Sequence, residues 1–260
     1  MQVIKDLSNL PVIENPVVTT GVFDGVHRAH KQVLQQLRRL AVNSNGQSVV
    51  ITFDEHPAKT IAPNRWGIDL FLLTDLDEKM ELIEAENVDY LIILPFDKDF
   101  AMISYEEYVC DYLVKQLHVS QILVGYDHNF GYEGLGNFEK LQALGLQYQF
   151  KTELFPEYLF ENGTISSTSI RNAILAGEIE HANQKLGYDY RLFGTIKKNH
   201  LIVRHDNKLI PAYGSYKVVV TVGDCERDSV CTVGKEIVFS DTLFDDVDDT
   251  VKVSFYQYLD

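Results

Sequence analysis

His27 and His30 stand one helical turn apart in the stretch TTGVFDGVHRAHKQVLQQL. An apolar run from Pro16 to Thr20 stops at Gly21, Gly25 follows, and a helical pattern begins at the histidines. A helix N-terminus gathers unpaired N–H groups and the positive end of the peptide dipoles. A glycine turn ahead of it lets a phosphate approach the backbone closely. Side chains three apart share a helix face, so both imidazoles can reach one anion. They can donate to phosphate oxygens that gain charge in a transition state. The pair alone is a weak signal, because eight histidines meet at this spacing by chance often enough. A zinc site would need a third ligand, and none stands at a recognisable spacing. The strand, the glycines and the basic helix start favour phosphate.

A second constellation is GTISSTSIRNAILAG, residues 163–177. Ser166, Ser167 and Thr168 precede a helix that carries Arg171. One hydroxyl would serve as a plain N-cap. Three hydroxyls and a forked guanidinium exceed that need and make a second anion cradle. Two cradles in one chain suggest a polyphosphate ligand. Two loops complete the set: ITFDEHPAKTIAP (51–63), with Asp54, His56 and Pro57, and LVGYDHNFGYEGLG (123–136), with Asp127, Asn129, Phe130 and Gly131. Each is weak alone, since Asp, Asn, Gly and Pro also simply make turns.

These residues need a frame that brings them to one edge. The segments 15–21, 48–53, 89–96 and 121–126 are rich in Val and Ile and apolar on both faces, as buried parallel strands are. LQYQFKTEL (146–154) reads as a weaker fifth. Helical patterns lie between. Residues 27–42 place Val33, Leu34, Leu37, Leu40 and Ala41 on one stripe. TDLDEKMELIEAEN starts at Thr74, and SYEEYVCDYLVKQL starts at Ser104 with Glu107 three residues on, a capping-box pattern. Strand–helix alternation argues for an open, doubly wound parallel sheet, which binds ligands beyond the carboxyl ends of its strands. Gly21 to His30, Phe53 to Pro57 and Gly125 to Gly131 all fall there. From Arg191 onward only short strand-like segments and turns remain, which suggests a small antiparallel barrel or sandwich. The expected domains are 1–186, α/β, and 187–260, all-β. The acidic run FDDVDDT (244–250) lacks EF-hand order and reads as a solvated hairpin tip rather than a calcium loop.

The formal net charge of -15 argues against an extended nucleic-acid interface. Between Gly25 and Phe53 there is no Asp or Glu, while Arg28, Lys31, Arg38, Arg39 and both histidines fall there, a local positive island. No window approaches the roughly 18 apolar residues of a membrane helix, and the start lacks a signal-peptide pattern. The three cysteines form no metal spacing and read as reduced thiols of a cytoplasmic protein.

Six segments, GVFDGVHRAH, TFDEHP, LLTDLDEK, GYDHNFG, ISSTSIR and LGYDYRLFGTI, come in an order that resembles the FMN adenylyltransferase module of bacterial bifunctional riboflavin kinase/FAD synthetases. That module is a branch of the HxGH nucleotidyltransferases, and the likeness covers about residues 15–190. The resemblance implies a Rossmann-like domain that transfers AMP from MgATP to FMN, giving FAD and pyrophosphate. By motif position, His27, His30, Thr168 and Arg171 would be catalytic. Gly21, Phe23, Asp24 and Gly25 would shape the adenylate pocket, and Ser166, Ser167, Thr168 and Arg171 would hold ATP phosphates. Asp54, His56, Pro57, Asp127, Asn129 and Phe130 would face FMN. The chain departs from the family in two places. Ala29 stands where the His-x-Gly-His motif has glycine, which bears on rate rather than fold. The riboflavin kinase motif Pro-Thr-Ala-Asn occurs nowhere, so the C-terminal domain is expected to be a reduced barrel without kinase activity. A catalytically weak flavin or adenine-nucleotide sensor, and a transferase acting on another phosphate, stay open as alternatives.

Overall fold

The structure is a computed structural model describing residues 1–61, 71–160, 163–241 and 247–259. Six strands, β1 (Gln2–Ile4), β2 (Val17–Thr20), β3 (Ser48–Phe53), β4 (Tyr90–Leu94), β5 (Gln121–Gly125) and β6 (Lys151–Phe155), form one sheet in the order β1-β4-β3-β2-β5-β6. Every pairing is parallel. β3 is buried along its whole length, as a central strand covered on both faces must be. The order turns back between β2 and β5, so the switch point lies beyond the carboxyl end of β2, where the histidine motif follows.

The helices that cover this sheet are α1 (Arg28–Asn43), α2 (Pro57–Ile61), α3 (Leu76–Glu84), α4 (Lys98–Ala101), α5 (Tyr105–Glu107), which runs into a π-helix (Tyr108–Gln116), and α6 (Phe138–Tyr148). α1 buries Leu34, Leu37 and Ala41 of the expected stripe and packs on β2, β3 and β5. The capping box at Ser104 forms: its hydroxyl accepts from Glu107 N–H, and the Glu107 carboxylate accepts from Ser104 N–H. A short antiparallel pair follows, β7 (Leu159–Phe160) with β8 (Gly163–Thr164). α7 (Ser167–Leu175) and α8 (Ile179–Leu186) come next.

The remaining strands, β9 (Tyr190–Lys197), β10 (His200–Val203), β11 (Gly214–Val222), β12 (Cys225–Val233), β13 (Ile237–Phe239) and β14 (Val247–Tyr258), close an antiparallel barrel. Alternate residues Tyr190, Leu192 and Ile196 point inward with Tyr216, Val218, Val220, Val251, Val253 and Phe255. Lys198 and Asn199, with φ of 48° and 62°, make the two-residue turn from β9 to β10.

Two expectations change, and one strand had not been foreseen. The segment 146–154 is not one strand: α6 runs to Tyr148, Gln149 closes it in the left-handed conformation, and β6 begins at Lys151. Its alternating pattern yielded to helix burial of Leu141, Leu144 and Gly145. β1 escaped notice because three residues carry too little pattern. The helix expected from Thr74 begins at Leu76, because Phe71–Asp75 packs with the second compact unit. That unit comprises Phe71–Asp75 and Ile165–Asp260, and the first comprises Met1–Leu70 and Leu76–Thr164. The expected boundary at 186/187 lies within the second of these units. Gly187, at φ 77°, is the C-cap of α8, so its glycine marks a helix end, and α8 packs on β9 and β14. Of the acidic run, 244–246 lie outside the described residues, and Val247 onward is strand.

Candidate functional site

The turn after β2 is tight and buried. Gly21 N–H donates to the Ile51 carbonyl at 3.0 Å, and Val26 N–H donates to the Phe23 carbonyl at 3.1 Å. Phe23 (φ 52°), Gly25 (φ 82°) and Val26 (φ 33°) are all left-handed. For a bulky and a β-branched residue this is strained backbone, and such strain persists only where the surroundings hold it. Here both side chains are buried, and so is Asp24.

His27 is the N-cap of α1. Its Nδ1 accepts from His30 N–H at 3.4 Å, which leaves Nε2 as the protonated nitrogen of the neutral ring. The His27 and His30 rings stack with centroids 3.6 Å apart and planes at 13°, and Phe23 meets His30 edge-on at 5.1 Å. The pair is therefore brought together by a cap and a stack, not by helix periodicity alone. Burial lowers the His27 pKa to about 4, with Asp24 opposing, and burial lowers His30 well below the usual range, helped by His27 and Lys79. Both rings are neutral donors near pH 7. His30 Nδ1 is sealed without a hydrogen-bond partner, so Nε2 is its nitrogen for a ligand. The positive island is smaller than the composition suggests. At 1.5 Å per residue, Arg38 and Arg39 lie roughly 15 Å along α1 from Arg28, leaving Arg28 and Lys31 at the first turn.

Lys79 of α3 completes this corner. It is 7% exposed, and Nζ donates to the Phe53 carbonyl at 3.2 Å and to Thr52 Oγ1 at 3.4 Å. The Thr52 hydroxyl donates onward to the Val22 carbonyl at 3.2 Å. Burial lowers the Lys79 pKa to about 8, while Asp24 and Asp54 hold it up.

The other two loops meet the same edge. Asp54 Oδ1 accepts from Glu55 N–H and Phe96 N–H at 2.7 and 3.0 Å, clamping the ends of β3 and β4. His56 Nδ1 accepts from Ala58 N–H, and Pro57 opens α2. Asn129 Nδ2 donates to the Asp127 carbonyl, and Phe130 exchanges two backbone hydrogen bonds with Gly136. Gly131 is required there: at φ 73°, an added Cβ would sit 2.5 Å from Tyr105 N. Aromatic contacts link the loops, running Phe53–Phe96 (5.0 Å), Phe53–Phe100 (5.7 Å), Phe100–Tyr108 (6.1 Å) and Tyr108–Phe130 (6.1 Å). The Tyr108 hydroxyl hydrogen-bonds Thr20 at 2.8 Å, immediately before Gly21.

In the second unit, Ser166 is the N-cap of α7. Its hydroxyl accepts from Ser169 N–H at 3.1 Å, and Ser169 closes a capping box, so the plainer role is filled by Ser166. Ser167 and Thr168 lead the first turn. Arg171 Nε donates to the Phe71 carbonyl at 2.9 Å. The strap 71–75 is held further by Lys208 Nζ to the Leu73 carbonyl (2.6 Å) and by Arg204 to Asp75 (2.6 Å). Sequence reasoning passed over Lys79, Tyr108 and the aromatic wall. The spacing of Phe96, Phe100, Tyr105 and Tyr108 was a usable signal, whereas a lysine inside a charged helical run gave none.

Comparison with known proteins supplies the context. The family model for FAD synthetase matches residues 11–169. The bifunctional riboflavin kinase/FMN adenylyltransferase of Listeria monocytogenes is 33% identical over 238 residues, covering 87% of this chain and 74% of its own. The like-named protein of Haemophilus influenzae is 34% identical, covering 80% and 65%, and that of Escherichia coli K12 is 32% identical, covering 75% and 62%. For the last two, the match spans less than two thirds of the relative. A crystal structure of a Streptococcus pneumoniae protein named a macrolide-efflux protein superposes with a TM-score of 0.86 at 25% identity, over 99% of this chain and 90% of that one. Among the described residues here, no helix is long and apolar enough to cross a membrane.

Proposed function

This chain belongs to the FAD synthetase family, and from that premise we infer that it transfers the AMP part of ATP to FMN, giving FAD and pyrophosphate. The observation that carries this reading is the stacked histidine pair, buried His27 capping α1 and half-buried His30 on its first turn, behind a strained glycine turn at the switch point of the sheet. An oxygen of the FMN phosphate attacks the α-phosphorus of ATP. The new P–O bond forms as the bond from that phosphorus to the bridging oxygen breaks, and pyrophosphate leaves. The protein supplies positioning and donors rather than a covalent intermediate.

His27 Nε2 and His30 Nε2 donate to phosphate oxygens as charge grows on them, and their neutrality lets them do so without taking up a proton. Gly21, Phe23, Asp24 and Gly25 shape the adenylate side. Asp54, His56, Pro57, Asp127, Asn129 and Phe130 face the flavin and its phosphate. In the second unit, Ser166, Ser167, Thr168 and Arg171 form a phosphate cradle on their own chemistry, with Arg171 oriented by the Phe71 carbonyl. Among the described residues, no group of three or more His, Cys, Asp or Glu could hold a metal ion. Mg²⁺ would enter as the partner of ATP and would help neutralise charge on the departing pyrophosphate. We place the protein in the cytoplasm, with no nucleic-acid partner for so acidic a surface, and without riboflavin kinase activity, since the Pro-Thr-Ala-Asn motif is missing.

The test is chromatographic: purified full chain with MgATP and either FMN or riboflavin. FAD from FMN, with no FMN from riboflavin, supports the whole reading. FMN formed from riboflavin would overturn the loss of the kinase. No FAD from FMN, with FMN still bound, would favour a flavin sensor.

A further inference from the structure

One buried cation has no part in the reaction as described. An ammonium is expensive to remove from water unless it is paired, and helix surfaces normally leave lysine heads exposed. Lys79 is nevertheless buried on α3, in a segment whose neighbours Asp77 and Glu81 suit a solvated face.

We propose that Lys79 is a positioning residue for the phosphate-binding turn, acting both as the head of a hydrogen-bond relay and as a counter-charge. The relay runs from Lys79 Nζ to Thr52 Oγ1 and from that hydroxyl to the Val22 carbonyl. Because Thr52 accepts from the ammonium, its single proton is committed to Val22. Val22 precedes Phe23, the first strained residue of the turn that ends in His27. The second Nζ bond, to the Phe53 carbonyl, fixes the end of β3 where Asp54 follows. α3 is thereby tied to the two strand ends that carry the candidate ligands. The charge acts on the same corner. Asp24 and Asp54 both interact with Lys79, and two carboxylates beside an anion site would repel a polyphosphate. One ammonium set among them offsets that repulsion without itself occupying the phosphate position.

The identity of the anion rests on the adenylyl-transfer reading; the relay and the counter-charge do not. The test therefore uses pyrophosphate as a binding probe alongside FAD formation. Full-length wild type, Lys79→Met, Lys79→Arg and Thr52→Val are compared by calorimetric titration with pyrophosphate and by side-chain NMR of the histidine ring nitrogens. Lys79→Met is expected to weaken pyrophosphate binding at least tenfold and to shift the His27 and His30 signals. Lys79→Arg should recover most of the affinity. Thr52→Val keeps the charge and the shape and cuts only the relay, so it should shift the ring signals while costing less affinity. Wild-type affinity with unmoved ring signals in Lys79→Met overturns the proposal. If that variant does not fold, unmoved ring signals in Thr52→Val overturn the relay, and affinity lost in a folded Lys79→Arg overturns the counter-charge. Wild type that binds pyrophosphate yet makes no FAD, with binding lost in Lys79→Met, overturns the reaction and upholds Lys79.

Discussion

His30 shows most directly what one side chain does here. Its Nδ1 is sealed and its ring is stacked on His27, so its remaining nitrogen has one direction in which to donate. His30→Ala should lower turnover by about 100-fold with the fold intact, because the lost donor matters most as charge develops. Near-normal turnover in a well-folded variant would remove His30 from the mechanism. Arg171 is oriented by the hydrogen bond from its Nε to the Phe71 carbonyl. Arg171→Ala should raise the KM for ATP more than that for FMN, and equal changes would make its role structural. Lys79 adds a pH signature. Facing it are Asp24, Asp54 and His30, and its ammonium is lost at about 8. Pyrophosphate affinity should decline above about pH 8 in the wild type and persist to higher pH in Lys79→Arg.

Elements place these groups, and their placement rests on packing. α1 is held by Leu34 and Leu37, both fully buried against the sheet. Leu37→Ala should cost about 2–5 kcal/mol, seen as a lower urea midpoint with an unchanged slope. Turnover per folded molecule should change little, since the cap and the turn lie nearly three helical turns away. The loop after β5 should behave differently, because in the proposed reading its geometry positions Phe130 and Asp127 for the flavin. Gly131→Ala meets both a left-handed φ and the Tyr105 backbone, so Phe130 must move. The KM for FMN should rise with that for ATP nearly constant; a uniform loss of activity and stability would show that the loop serves the fold alone.

On the scale of the molecule, the buried His27 makes stability depend on acid. The folded pKa of His27, about 4, lies below its ordinary 6.5. Between those values the unfolded chain binds more protons, so stability is complete above pH 6.5 and falls as pH drops towards 4. His27 alone should contribute a loss of about 3 kcal/mol across that window. Urea unfolding at pH 7 and pH 4.5 measures it, and His27→Gln should shrink the difference; an identical difference would mean that the ring is not buried neutral. Much of this molecule was legible before folding. Val- and Ile-rich runs separated by amphipathic helices favour a parallel sheet, because strands apolar on both faces need a helix layer on each side. The spacing of glycines, histidines and hydroxyls pointed to the candidate anion sites, because short-range geometry of turns and helix starts depends on few residues. What the chain could not announce was contact at long range. Residues 71–75 group with the second unit although they immediately precede α3, and Gly187 closes a helix. Lys79 looks like one more solvated charge in its helix. Only the tertiary structure buries it beside Thr52 and Phe53, because burial depends on which surfaces the sheet order brings together, and no local pattern records that order.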